Sequence, residues 1–145
     1  MTGLAGQRVF VTAGATGIGA TLVRRFTEAG ARVAFCDVDA DAVAAQTIGT
    51  GQVADVTDEA AMAEVFKKVE AELGGVDVVC ANAGIGGPAG KIEDISLEDW
   101  QATLNVNLTG ARYPEVRLLL ETNGLTNRRT SHGSRLHATI TTRTS

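Results

Sequence analysis

Residues 8–19 read Arg-Val-Phe-Val-Thr-Ala-Gly-Ala-Thr-Gly-Ile-Gly, and this stretch decides the fold. Its first five residues form an apolar run typical of a buried β-strand, and a glycine-rich turn follows directly. Ile18, Leu22, Phe26 and Ala29 then recur on one helical face, so a helix follows the turn. Backbone N–H groups at such a helix start bind phosphate, and glycine lets phosphate oxygens approach the main chain. The stretch therefore predicts a site for the pyrophosphate of a nucleotide.

Strand and helix patterns alternate over the next ninety or so residues. Further strands are predicted at 33–36, 52–54 and 76–80. Helices are predicted near 41–46, from a cap at Thr57 to Leu73, and after Ser96, with Trp100, Leu104 and Leu108 facing inward. Such alternation predicts an α/β fold, a Rossmann-like doubly wound parallel sheet. We expect this sheet to be incomplete, with about four strands, because the pattern fades after residue 112.

Asp37 stands at the end of the second predicted strand, 18 residues after Gly19. A carboxylate at that position accepts hydrogen bonds from the adenosine ribose hydroxyls of a dinucleotide. The same charge repels a 2′-phosphate, and the glycine-rich turn contains no Lys or Arg to neutralise one. The pattern therefore favours NAD over NADP. An ordinary surface aspartate after a strand stays the alternative interpretation.

Composition changes along the chain. Residues 1–112 carry a net charge of −7 and residues 113–145 a net charge of +3, within a total of −4. The tail is rich in Ser, Thr and Arg but has no dense basic cluster, so nucleic-acid binding is not expected. Neither a signal peptide nor a membrane-spanning run is recognisable, and we expect a cytoplasmic protein without membrane contact. Cys36 and Cys80 end apolar runs and are interpreted as buried structural thiols rather than metal ligands.

Several segments resemble the short-chain dehydrogenase/reductase superfamily, in the order that the family has them. Residues 12–19 resemble its Thr-Gly-x-x-x-Gly-x-Gly signature, with Ala13 in place of the first glycine. Residues 54–57 are similar to the segment that flanks the adenine ring. Residues 81–84, Ala-Asn-Ala-Gly, resemble the family's Asn-Asn-Ala-Gly segment, and residues 100–108 resemble the helix that supplies its active-site asparagine. The likeness covers about residues 5–112, half of a usual member.

The resemblance implies a role for each matching residue. It divides the chain into an NAD-binding Rossmann half-domain, residues 1–112, and an atypical tail, residues 113–145. Asn107 would be the one catalytic residue, since the family uses this asparagine to hold a proton-relay water. Residues implied in cofactor binding are Gly14, Thr16, Gly17, Ile18, Gly19, Asp37, Asp55, Val56, Asn82, Ala83 and Gly84. Each has a structural alternative: Asp55 could start a turn, Asn82 could bridge loops, and Asn107 could bond its own backbone. No metal site is expected.

The family's Ser-Tyr-Lys catalytic group has no counterpart in this sequence. The one tyrosine, Tyr113, lies about 40 residues too early and is followed four positions later by Arg117, and no lysine occurs after Lys91. His132 and His137 are five residues apart, which suits neither a metal pair nor a substitute base on a helix. Our hypothesis is that residues 113–145 arise from a reading-frame slip or an aberrant splice of a longer dehydrogenase.

The expected parent activity is hydride transfer between NAD and a secondary alcohol or ketone. Such a substrate would bind only if the missing half were supplied, so we expect this chain to be inactive as an enzyme by itself. An inert NAD-binding module and a non-functional truncated product stay open as alternatives. The last predicted strand, 76–81, would form an apolar edge suited to self-association or to pairing with a full-length relative.

Overall fold

The computed structural model describes residues 3–113, and a helix predicted at 115–121 and a strand at 136–141 lie outside the described residues. Four parallel strands and the helices between them follow one another along the chain. They are β1 (Arg8–Thr12), α1 (Gly17–Glu28), β2 (Arg32–Asp37), α2 (Ala40–Ala45), β3 (Thr50–Val53), α3 (Glu59–Leu73) and β4 (Val78–Cys80). A 3₁₀ turn (Ile92–Asp94), α4 (Leu97–Leu104) and a π-helical turn (Asn105–Thr109) complete the described part.

The sheet has the order β3-β2-β1-β4, and every pair of neighbouring strands is parallel. The chain therefore starts in the middle of the sheet, runs outward to β3 and then crosses to β4. This reversal confirms the predicted α/β, Rossmann-like doubly wound sheet. It also creates a crevice at the carboxyl ends of β1 and β4, where open α/β sheets bind their ligands.

Helices cover both faces of the sheet, so two apolar layers form. On one face Phe10 packs against Phe66 of α3, with ring centroids 4.8 Å apart, and Met62 and Val69 complete the layer. On the other face Val23 of α1 lies against strand residues such as Phe35. Alternate residues of one strand point to opposite faces, which is why β1 and β2 are apolar at consecutive positions.

The amino edge of the sheet is fixed by charged side chains. Arg8 makes a two-point ion pair with Asp77, with N–O distances of 2.6 and 2.9 Å, and it also donates to the carbonyl oxygen of Gly74. Arg32 donates to the carbonyl oxygens of Glu72 and Leu73 at the end of α3. Cationic groups at a helix C-terminus stabilise its last carbonyls. The site described next lies at the opposite, carboxyl edge.

Two sequence-based predictions about helices need correction. The cap of α3 is Asp58, one residue after Thr57, because the Asp58 carboxylate accepts from the N–H of Ala61 at 3.0 Å. Trp100, Leu104 and Leu108 were predicted to face inward but are 47%, 40% and 67% exposed. No described strand lies beyond β4 to form a surface beneath them. The first strand has its predicted bounds, and the bounds of the other strands and of α2 differ from the predicted ones by at most two residues, as expected for element ends.

Candidate functional site

The glycine-rich turn links the end of β1 to the start of α1 and has an unusual backbone. Ala13 has φ +51°, the one positive φ of a residue other than glycine in the described part, and Gly17 has φ +54°. A side chain on Gly17 would meet no atom within 4 Å, whereas a Cβ on Gly19 would overlap the carbonyl oxygen of Ala13. The absence of a side chain at Gly19 thus lets α1 lie close to the carbonyl of Ala13, whereas the space beside Gly17 is open.

The N-terminus of α1 differs from those of the other described α-helices. Asp39, Asp58 and Ser96 each accept a backbone N–H of the first turn of their own helices. Thr16, the N-cap of α1, makes no such bond, and the first turn of α1 contains no acidic residue. The positive end of this helix dipole therefore has neither a capping side chain nor an acidic residue in its first turn. An anionic group is the partner that such a terminus favours.

Asp37 closes the turn from the neighbouring strand. It is buried, with 9% of its surface exposed, and its Oδ2 accepts the N–H of Ala15 at 3.0 Å. Its Oδ1 accepts the N–H of Asp39 at 3.2 Å, and the N–H of Gly14 donates to the carbonyl of Cys36 at 3.0 Å. The carboxylate is thus held beside the glycine-rich turn by backbone donors. This position suits recognition of a sugar attached to a phosphate bound at the turn.

The loop after β4 is tied to the same turn through Thr12 and Asn82. The Thr12 hydroxyl accepts the N–H groups of Asn82 and Ala83, both at 2.9 Å. The Asn82 amide donates to the carbonyls of Thr12 and Ala13, at 3.1 and 3.3 Å. Asn82 therefore bridges two loops, as one of its two interpretations predicted. The sequence analysis missed that Thr12 holds the loop after β4. The partners of its hydroxyl lie about 70 residues away, so no local sequence pattern indicates them.

Asn107 belongs to the π-helical turn that follows α4. Its side chain is half-buried and makes two hydrogen bonds to the backbone of one residue: Oδ1 accepts the N–H of Ile85 at 2.8 Å, and Nδ2 donates to the Ile85 carbonyl at 2.9 Å. It also lies against Gly84, where a Cβ would come within 3.3 Å of Oδ1. Asn107 thus bonds a distant loop rather than its own helix backbone. The π turn changes the helical register at this residue, a feature frequent at functional sites.

Asp55 and Val56 lie apart from this network, after the outer strand β3. The Asp55 carboxylate accepts the N–H and the hydroxyl of Thr57, both at 2.8 Å, so it closes a turn before α3. Val56 is half-buried and packs near Gly110, where a Cβ would come within 2.7 Å of its side chain. The turn-forming alternative for Asp55 is observed, and none of the described hydrogen bonds joins these two residues to the glycine-rich turn.

Most of the remaining predicted residues lie on the solvent side of the site. Thr16, Gly17 and Ile18 are exposed, Ile18 to 42%, whereas Gly14 and Gly19 are buried. Exposed backbone at the start of α1 thus lies beside the buried Asp37 carboxylate.

Other candidate chemistry is accounted for by packing. Burial raises the pKa of Cys36 to about 12 and that of Cys80 to about 11, as expected for the structural thiols predicted at these positions. Tyr113 packs edge-on against Phe66, with ring centroids 5.9 Å apart. Within residues 3–113 no cluster of His, Cys, Asp or Glu could hold a metal ion.

Comparison with known proteins defines the class of this fold and site. The family model for short chain dehydrogenase matches residues 7–120. The chain therefore belongs to the short chain dehydrogenase family, an oxidoreductase family that uses nicotinamide dinucleotide cofactors. Its match to that family includes the turn, Asp37 and the Asn107 segment.

Individual relatives support this membership. The chain is 36% identical over 118 residues to the short chain dehydrogenase/reductase dpmpG of Macrophomina phaseolina. This match covers 75% of this chain and 67% of that protein. It is 37% identical over 115 residues to D-threitol dehydrogenase of Mycolicibacterium smegmatis, covering 74% of this chain and 44% of that protein. A solved 3-ketoacyl-(acyl-carrier-protein) reductase from Brucella melitensis, in complex with NADH, superposes with a TM-score of 0.78 at 25% identity, covering 85% of this chain and 54% of that one. The chain thus spans about half to two thirds of these relatives.

In the described part, no helix is both long and apolar enough to cross a membrane.

Proposed function

We propose that this chain is the dinucleotide-binding half of a short-chain dehydrogenase/reductase and that it binds NAD in preference to NADP. The observation that carries the proposal is the buried Asp37 carboxylate, held at 3.0 Å by the N–H of Ala15 beside a helix N-terminus that no side chain caps. A carboxylate here accepts ribose hydroxyls and repels a 2′-phosphate. The nearest residues along the chain, 13–19 and 38–41, include no Lys or Arg.

The remaining predicted contacts follow the path of an extended dinucleotide. We assign the pyrophosphate to Gly14 and to residues 16–19, and the adenosine ribose to Asp37. Asp55 and Val56 would border the adenine, since their loop follows β3 on the same carboxyl edge of the sheet. Residues 82–84 would border the ribose on the nicotinamide side, because Asn82 is bonded to the glycine-rich turn.

Calorimetric titration with NAD and NADP side by side tests the cofactor assignment. We expect NAD to bind and NADP to bind more weakly. Asp37→Asn keeps an acceptor for Ala15 but removes the charge, so its affinity for NAD should fall about tenfold and its preference should shift toward NADP. Asp41→Asn removes the same charge from an exposed position in α2 and should change neither affinity. Equal affinities in the wild type, or no effect of Asp37→Asn, would refute the assignment.

We further propose that the chain alone does not catalyse the parent reaction, hydride transfer between NAD and a secondary alcohol or ketone. A general acid/base must act on the substrate oxygen. The family's Ser-Tyr-Lys group is absent from this sequence, and Asn107 is the one member of the catalytic set with a counterpart. Asn107 is a positioning residue for the backbone of Ile85 in this proposal. Steady NADH formation from a panel of secondary alcohols would overturn it.

The alternative, that the chain is a non-functional truncated product, predicts a different folding behaviour. A genuine NAD-binding module melts cooperatively and at a higher temperature when NAD is present. A non-functional product would show neither property, and circular dichroism with and without NAD distinguishes the two cases.

A cytoplasmic location and the aberrant origin of residues 113–145 remain predictions. Sequencing the source nucleic acid tests the second, since another frame or exon should then encode a Tyr-x-x-x-Lys segment.

A further inference from the structure

The side chain of Phe35 lies against the glycine-rich turn from inside the fold. Phe35 is fully buried, in the apolar layer that also contains Ala15, and it stands two residues before Asp37 in β2. A Cβ on Gly14 would overlap the Cβ of Phe35 and would lie 2.8 Å from its Cγ and 3.0 Å from its Cδ2. Gly14 therefore packs so closely on this side chain that no further carbon atom fits between them.

The tip of the same ring fills the place of a side chain that is missing from β3. Gly51 is the register partner of Phe35 in the parallel pair of β2 and β3. A Cβ on Gly51 would come within 2.7 Å of Cζ and 3.0 Å of Cε2 of the ring, and within 2.9 Å of Val43 in α2. The ring thus has close neighbours at both ends, the turn at its base and β3 at its tip, and such close packing fixes its position.

Three consecutive residues of β2 hold the turn. Phe35 packs against Gly14, the carbonyl oxygen of Cys36 accepts the N–H of Gly14 at 3.0 Å, and the Asp37 carboxylate accepts the N–H of Ala15 at 3.0 Å. The two hydrogen bonds draw the turn toward β2, and the buried ring limits how closely it approaches. The position of the turn beside the Asp37 carboxylate therefore depends on the size of the side chain at residue 35.

We propose that Phe35 is a positioning residue for NAD, because it sets the place of the glycine-rich turn relative to Asp37. This inference rests on the proposed function, since it concerns the same pyrophosphate and ribose contacts. Binding groups must be held within about 0.5 Å of the productive geometry, and supporting side chains that are locked by packing hold them there. Phe35 acts through the turn and not by contact with NAD, since none of its surface is exposed.

Calorimetric titration of the full 145-residue chain with NAD tests this role. Phe35→Ala removes every atom beyond Cβ, so the turn loses its support and the dissociation constant for NAD should rise about tenfold or more. Phe35→Leu keeps Cγ and a Cδ beneath Gly14, so its dissociation constant should stay within about threefold of the wild-type value. Phe66→Ala is the matched control. It removes an equally buried ring from the layer on the opposite face of the sheet and should leave the affinity of the folded protein unchanged.

Amide hydrogen exchange without NAD gives a second readout that does not depend on the cofactor. The N–H groups of Gly14 and Ala15 are compared with the amides of β1 in the same protein, so that a change in global stability cancels. In Phe35→Ala the two turn amides should exchange about tenfold faster relative to β1, because their acceptors in β2 are no longer held in place. In Phe66→Ala this ratio should equal that of the wild type. Circular dichroism confirms that each variant is folded.

Gly51→Ala tests the same contact from the tip of the ring, and it decides the matter if Phe35→Ala does not fold. The new Cβ enters the space of Cζ and pushes the ring toward the turn, so NAD should bind about threefold more weakly. In a Phe35→Leu background the same substitution should have no effect on NAD affinity, because leucine has no atom at the position of Cζ.

The inference alone is refuted if the wild type binds NAD and folded Phe35→Ala binds it equally well, or if Phe66→Ala weakens binding as much as Phe35→Ala does. Equal effects of Gly51→Ala in the two backgrounds, or unchanged exchange of Gly14 and Ala15 in Phe35→Ala, refute it as well. A folded wild-type chain that does not bind NAD refutes the proposed function, and the role of Phe35 in binding falls with it.

Discussion

The substitution Gly19→Ala tests the close approach of α1 to the glycine-rich turn. A Cβ at this position overlaps the carbonyl oxygen of Ala13, lies 2.7 Å from its carbonyl carbon and 2.9 Å from Nδ2 of Asn82. Contacts under 3.0 Å essentially never occur for real Cβ atoms, and the Ala13 atoms are backbone that cannot rotate away. The helix must therefore move, and the Asn82 bonds to Thr12 and Ala13 are disturbed with it.

The expected cost follows from these contacts. Overpacking of a tight site costs about 1–3 kcal/mol, and a disturbed hydrogen bond adds about 0.5–1.5 kcal/mol. We therefore expect Gly19→Ala to lower the free energy of unfolding by about 1.5–4.5 kcal/mol. Urea denaturation followed by circular dichroism measures this change, provided that the slope of the transition is unaltered.

Two other glycines provide matched controls for the same substitution. Gly17→Ala enters open space but keeps φ +54°, so only left-handed backbone strain of about 1–2 kcal/mol is expected. Gly90→Ala meets no atom within 4 Å and carries no positive φ, so its effect should stay within about 0.5 kcal/mol. The expected order of destabilisation is thus Gly19, Gly17, Gly90. A Gly19→Ala protein as stable as Gly90→Ala would falsify the packing argument.

Three further predictions concern stability and reactivity. Ala13→Gly should raise the free energy of unfolding by about 0.5–1 kcal/mol in urea titrations, since relief of left-handed strain exceeds the added entropy of the unfolded chain; a destabilised variant would contradict this. The Arg8 side chain, through its hydrogen bonds, lowers the pKa of Asp77, so the stability that this carboxylate contributes is complete above about pH 4 and is lost as the pH falls through the folded-state pKa. Denaturation curves of Asp77→Asn should therefore depend less on pH below about 4 than those of the wild type, and parallel profiles would show that the pair does not stabilise the fold. Cys36 and Cys80 should resist iodoacetamide at pH 8 until urea unfolds the chain, because burial raises both thiol pKa values, to about 12 and about 11; mass spectrometry that finds rapid labelling of the folded protein would disprove their burial.

The parts of this fold that depend on local pattern were predictable. The strand-turn-helix of residues 8–19 and the stop of α3 at Gly74 follow from periodicity and from glycine at a left-handed position, with φ +80° at Gly74. The parallel sheet follows from the alternation of elements. The start of α4 at Ser96 was also predicted, and the Ser96 hydroxyl caps the helix by accepting the N–H of Asp99 at 3.0 Å. The helix stop and the helix cap each depend on residues within about one helical turn of one another.

The sequence by itself thus determined the parallel α/β class and the residues of the glycine-rich turn. Only the tertiary structure decided the partners of the polar side chains: the Thr12 hydroxyl accepts two N–H groups from the loop after β4, and Asn107 bonds the backbone N–H and carbonyl of Ile85, 22 residues away. It also decided that Trp100 and Leu104 face solvent, because their predicted burial required a strand that the described sheet does not contain. Local periodicity shows that a residue is apolar or polar, but whether it is buried or bonded depends on which distant part of the chain lies against it.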